Sequence, residues 1–188
     1  MKIKWLIRSQ SIVTLASGMI YPYYLLFLKN LGNSYSKYGL AFAVFTLSSA
    51  ITSQVLASRL DSRAHEILVL SSIGMMIAMV AFPWVLHFAW VIVLQLLMGI
   101  CNAMQRTSER VLLADHTTKG DRGKDIGNYH FWTSIASGFA VIVGGYMIDW
   151  LTIDVLFYIS AVLYGVSAWM IGRNSKTKAK SKLSIEKV

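Results

Sequence analysis

Gln95, Asn102, Arg106 and Glu109 follow one another at intervals of seven, four and three residues within a long apolar run. At 100° per residue these four, with Gly99, fall within about 80° of one helix face. Amides and charges on such a face can hydrogen-bond a solute or a neighbouring helix. They are costly against lipid, so the stripe must face protein or water. Gln95 and Asn102 are therefore candidate path-lining residues. Tyr21 and Tyr24, three apart beside Pro22, are candidates to face the same cavity from another helix. Arg106, Glu109 and Arg110 are spaced to pair at a helix end. Arg59, Asp61 and Arg63 form a second charged cluster. The two clusters carry complementary charges and are read together as a candidate gate. Gly138, Gly144 and Gly145, with Ser134, Ser137 and Val141, make a narrow small-residue face suited to close helix packing.

The chemistry these residues do not suggest is equally informative. His87 and His130 lack metal-ligand spacing, so no metal site is expected. There is no His-Glu-x-x-His, no Ser-His arrangement at membrane depth and no phosphate-cradling Gly loop. An enzyme is not expected, nor is any cofactor. No carboxylate stands in the middle of an apolar run, so the usual buried proton site is not visible. The single cysteine, Cys101, excludes an intrachain disulfide and reads as a small buried hydrophobe.

The elements that hold these residues are membrane helices. Of 188 residues, 55% are hydrophobic and 14% charged, against about 25% charged in an ordinary globular protein; mean hydropathy is +0.53. A spanning helix needs about 20 mostly apolar residues. Six runs meet this, at 10–28, 38–56, 67–86, 88–113, 126–148 and 153–171. They show no alternation and are too long for barrel strands. The predicted fold is thus an all-α integral membrane bundle over residues 1–172, followed by a mobile basic tail at 173–188. Short connections suggest that sequential helices are mostly neighbours.

The formal net charge of +9 belongs to topology, not to nucleic acid binding. Sixteen of the 18 Lys and Arg lie at the termini and the even-numbered connections. Only Lys29 and Lys37 lie on the other side. The positive-inside rule then puts both termini in the cytoplasm. The basic tail is attracted to anionic membrane lipid.

Several local patterns together resemble the major facilitator superfamily of transporters. Residues Ile20-Tyr21-Pro22-Tyr23-Tyr24-Leu25-Leu26-Phe27-Leu28, then Leu31-Gly32 and Lys37-Tyr38-Gly39-Leu40, look like helices 1 and 2 of the family's exporters. Leu56, Ala57, Arg59 and Arg63 match its loop motif G-x-L-A-D-R-x-G-R-K. Gln54, Ser58, Asp61 and Ser62 replace the motif's first Gly, its Asp, second Gly and second Arg. Asp61 can stand in for the missing acid. Gln95-Leu96-Leu97-Met98-Gly99 resembles helix 4, with Gln95 where many exporters have Arg. Asp121-Arg122-Gly123-Lys124 with Gly127 resembles the following loop. Gly144-Gly145 ends helix 5 as in the antiporter motif G-P-x-x-G-G, with Ala140-Val141 in place of Gly-Pro.

A complete family member has two six-helix halves, and this chain has one. The resemblance therefore implies a half-size or truncated member of the cell membrane. It would export an unknown small molecule by alternating access once a homodimer or a separately encoded second half completes the site. A substrate-binding membrane subunit of a modular vitamin importer, and a non-transporting remnant or assembly factor, are the alternatives.

Overall fold

A computed structural model describes the backbone at residues 3–32, 34–57, 60–117 and 120–185, with side chains also described except at 25–33, 61–62 and 174–185. Among these residues there are six long helices and no strand. They are α1 (Lys4–Gly32), α2 (Tyr35–Leu56), α3 (Leu60–Ala81), α4 (Phe88–His116), α5 (Arg122–Trp150) and α6 (Ile153–Ile185). Five of them, α2 to α6, contain stretches long and apolar enough to cross a membrane.

Every apolar run became a helix because a backbone in lipid must satisfy its own N–H and C=O groups. The helices outrun the hydropathy at several ends. α1 begins at Lys4, where position 10 was expected. α3 begins at Leu60 and not at 67, bending at Arg63, whose φ of −128° and ψ of 18° interrupt the helix. The run expected as a mobile tail continues α6 to Ile185. Lys and Ala favour helix once a preceding turn exists, and charge does not stop a helix outside lipid. Local chemistry sets other boundaries. Ser34 caps α2 by accepting a hydrogen bond from the Ser36 N–H at 3.2 Å. Pro83 converts the end of the third run into a 3₁₀ turn at Phe82–Trp84.

Neighbour order departs from chain order. The heaviest packing is α1 on α5 and α6, α3 on α4 and α6, and α2 on α4. Around the bundle the order is α5, α1, α6, α3, α4, α2, with lighter contact between α1 and α2 and between α1 and α4. Among the described residues, only α3 and α4 are sequential helices in extensive contact. Apolar side-chain matching and small residues decide the partners, and a loop of a few residues permits more than one of them. Gly18 sits where a Cβ would come within 2.9 Å of Ala140, and Gly144 where it would lie 3.0 Å from the Met19 carbonyl, so α1 and α5 approach closely. Gly74 leaves room for the buried Cys101 side chain between α3 and α4.

The main core lies between α1, α3, α4 and α6. Phe82 stacks on Phe157 with centroids 5.1 Å apart, and Tyr24 meets Phe82 edge-on at 5.5 Å. A second core of Leu6, Leu68, Leu112 and Ile171 closes the end where the chain begins. There Trp5 stacks on His65 at 5.0 Å and meets His116 edge-on, tying α1, α3 and α4. Buried serines bridge helices: Ser160 donates to the Ala16 carbonyl at 3.0 Å and Ser167 to the Ser9 carbonyl at 3.2 Å. In lipid, where no hydrophobic force holds helices together, such bonds average about 0.6 kcal/mol each. The outer helices α2 and α5 are the least covered. Leu47, Ile51 and Val55 of α2, and Phe131, Ile135 and Ile142 of α5, are exposed apolar residues that suit a lipid surrounding.

Candidate functional site

A cavity of about 470 Å³ opens between α1, α4 and α5. Its size suits a small molecule. α1 contributes Gln10, Thr14, Ser17 and Tyr21. α4 contributes Asn102, Gln105, Arg106 and Glu109, and α5 contributes Tyr129, His130, Thr133, Ser134 and Ser137. Tyr164 of α6 and Met75 of α3 reach it from behind. Tyr21, Arg106, His130 and Ser134 are exposed, so the cavity is open on one side.

The α4 stripe faces the neighbours that a polar face requires. Gln95 is buried and donates to the Tyr24 hydroxyl on α1. Gly99 is pressed against Phe45 and Ser48 of α2. Asn102 donates to the Ser49 hydroxyl of α2 at 3.2 Å and accepts from Arg106 Nε at 3.2 Å. Glu109 faces the Tyr129 hydroxyl on α5, with Arg106 and Arg110 as its charged neighbours. One face of α4 thus touches three helices and the cavity.

The four candidate path residues divide between two spaces. Asn102 and Tyr21 line the large cavity. Gln95 and Tyr24 line a smaller one of about 40 Å³ with Tyr38, Phe42 and Phe45, and Tyr21 stands at both. Of the expected gate, Arg106 and Glu109 line the large cavity, while Arg63 and Arg110 are exposed outside its lining. Arg59 and the side chain of Asp61 lie outside the described residues. Of the expected packing glycines, Gly144 and Gly145 receive Tyr23, whose hydroxyl donates to the Val141 carbonyl at 2.7 Å. Gly138 does not pack within the bundle, because a Cβ there would meet nothing within 4 Å. It is two residues, hence about 200°, away from Ala140 on the packed face.

Behind the cavity runs a buried relay that sequence reading missed. Ser71 donates to Gln105 Oε1 at 2.5 Å, and Gln105 Nε2 donates to Gln10 Oε1 at 2.8 Å. Ser72 donates to the Leu68 carbonyl at 3.1 Å. Gln10, 1% exposed, keeps its Nε2 without a partner. The signal was present, since both glutamines stand in or beside apolar runs. Tyr129 and Tyr164 carried no signal, because an aromatic residue in an apolar run reads as packing. The site offers amides, hydroxyls and one ion cluster around a water-sized to solute-sized space. Among the described residues, no three His, Cys, Asp or Glu side chains come together as a metal would need.

Six long helices, five of them long and apolar enough to cross a membrane, surround a polar cavity walled by α1, α4 and α5, which fits a partial bundle of a membrane transporter family. Residues 7–187 match the family described as Major Facilitator Superfamily, and the chain belongs to it. It is 41% identical over 159 residues to an uncharacterized MFS-type transporter, YitZ, of Bacillus subtilis (strain 168), an alignment covering 83% of this chain and 96% of that protein.

Proposed function

We propose that this protein moves a small molecule across the cell membrane by alternating access, in the direction of export, after pairing with a second six-helix bundle. The observation that carries the reading is the open polar cavity. Asn102, Arg106, Glu109 and His130 surround about 470 Å³ that one bundle leaves uncovered. A polar mouth of this kind facing lipid is costly, and a second bundle removes that cost. Two bundles rocking about a shared central site expose it to each side in turn. The second bundle is a further copy of this chain or a separately encoded half. Both termini lie in the cytoplasm, as the distribution of Lys and Arg implies. The export direction rests on the exporter-like patterns of the first, second and fifth helices.

The charges at Arg59, Asp61, Arg63, Arg106, Glu109 and Arg110 act as the cytoplasmic gate. Exposed ion pairs contribute only about 0–1 kcal/mol. That is too little to hold the fold, yet enough to bias two orientations of similar energy. The neighbours of Glu109, two arginines and Tyr129 of α5, support a role for it in sensing the separation of α4 and α5.

The test is a cysteine at Asn102 in a Cys101→Ala background, alkylated by an impermeant reagent from each side of sealed vesicles. Reaction from the cytoplasmic side is expected to rise when Glu109→Gln or Asp61→Asn is added, with thermal stability changed by less than about 1 kcal/mol. An Asn102 cysteine equally unreactive from both sides in every variant overturns the alternating-access reading.

A further inference from the structure

We infer that Tyr24 is a gate at the outer end of the substrate path, with the Gln95 side chain as the latch that holds it shut. The inference rests on the transport reading and adds a barrier at the end opposite the proposed cytoplasmic gate.

Two spaces follow one another along the helices. On α1 the cavity of about 470 Å³ is lined by residues between Gln10 and Pro22, and the one of about 40 Å³ by Ser17, Ile20, Tyr21 and Tyr24. α4 runs the other way and repeats the order in reverse. Asn102, Gln105, Arg106 and Glu109 face the large space, and Gln95 and Met98 face the small one. The small space therefore lies further from the end where the chain begins. The distribution of Lys and Arg assigns that far end to the outside. Ser17, Tyr21, Met75 and Tyr164 line both spaces, so the two adjoin. A solute leaving the large cavity outward meets the small one next.

The outer wall of the small space is closed by side chains. Its lining residues nearest the outer end are Tyr24 of α1, Tyr38 of α2, Met79 of α3 and Gln95 of α4. Tyr24, Met79 and Gln95 are all buried. The Tyr24 ring meets the buried Phe82 ring edge-on at 5.5 Å, and its hydroxyl accepts a hydrogen bond from Gln95 Nε2. That bond crosses from α1 to α4, two helices in only light direct contact. Elsewhere the seams are held by backbone approach at glycine, as at Gly99 against α2 and at Gly18 and Gly144 between α1 and α5. Closing those seams differently requires a helix to move. Tyr24 needs less, because a change of its χ1 rotamer withdraws the ring while α1 stays in place. A single side-chain bond between membrane helices is weak enough to exchange. The Gln95–Tyr24 pair thus has the position and the strength of a latch on a ring that blocks the way out.

The test places a cysteine at Ser17, which lines both spaces, in a Cys101→Ala background. A methanethiosulfonate reagent bearing a quaternary ammonium group is applied to right-side-out and inside-out membrane vesicles from expressing cells. The parent is expected to react slowly from outside. Tyr24→Phe keeps the ring and removes the hydroxyl, and it is expected to raise the outside rate about threefold, the loss of one such bond. Gln95→Leu is expected to do the same, and the two together no more than either alone. Tyr24→Ala removes the ring and is expected to raise the outside rate about tenfold or more. The rate from the cytoplasmic side is expected not to rise in any of them. An outside rate that is already fast in the parent, or unchanged in every variant, overturns the inference. An equal rise from both sides overturns it too, because it marks loosened packing and not a gate. The cysteine at Asn102 decides the transport reading separately. If that cysteine responds at the cytoplasmic side while Ser17 stays closed from outside, the outer gate falls and the transport reading stands.

Discussion

Gln105 shows how much a single side chain in lipid can organise. It sits 6% exposed on α4 and joins α3 to α1 through Ser71 and Gln10. Replacing it with Leu keeps the volume and removes both bonds. Ser71 keeps the Leu68 carbonyl as an acceptor at 2.8 Å, but Gln10 Oε1 is left buried with an unmet polar group, which is where most of the cost of losing a hydrogen bond arises. Gln105→Leu is expected to destabilise the bundle by about 1–2 kcal/mol, measured by reversible unfolding in mixed micelles. The double variant Gln10→Leu with Gln105→Leu is expected to lie closer to the parent than Gln105→Leu alone, because it removes both ends of the α1–α4 bond. A double variant as unstable as the sum of its parts shows that the glutamines are not coupled. At this scale the sequence was partly readable. The spacing of Gln95, Asn102, Arg106 and Glu109 marks a polar face, since a helix has one geometry wherever it occurs. What each side chain touches was not readable. Gln95 meets Tyr24, Asn102 meets Ser49 and Glu109 meets Tyr129 across three different helix interfaces.

Among the helices, α5 separates two kinds of glycine that look alike in the sequence. Gly144 lies in the seam with α1, where an added Cβ would come within 2.9 Å of the Tyr23 ring and 3.0 Å of the Met19 carbonyl oxygen. The backbone of α1 cannot yield locally. Gly144→Ala is expected to cost about 1–3 kcal/mol through overpacking. Gly138 faces open space, and Gly138→Ala is expected to change stability by no more than about 0.5 kcal/mol. The same unfolding measurement checks both, and equal effects at the two positions contradict the packing described for α1 and α5. The six helices themselves were legible from hydropathy alone, because lipid allows a long apolar run one hydrogen-bonded form. Their polar extensions were not, since hydropathy marks the part that suits lipid and is silent on how far the helix continues beyond it.

For the molecule as a whole, orientation and pairing are the open expectations. A cysteine at His87 or Thr152, both exposed, is expected to react with an impermeant thiol reagent from outside intact cells. A cysteine at Lys124, also exposed, is expected to react only after the membrane is opened. The reverse pattern overturns the positive-inside reading. Crosslinking through a cysteine at Ser134, on the rim of the cavity, is expected to yield a species of twice the mass or one defined partner. A single chain that transports without forming either species refutes the pairing.

The sequence by itself determined the solvent, the helix count and the family resemblance. Each of these depends on quantities additive along the chain: apolar length, charge placement and local motif order. Only the tertiary structure decided that α1 packs on α5 and α6, that α2 packs on α4, and that Gln10, Arg106 and Tyr129 meet at one cavity. Those outcomes depend on which faces fit one another across distant parts of the chain. Several pairings share the same hydropathy, and close packing, glycine contacts and satisfied buried amides select among them.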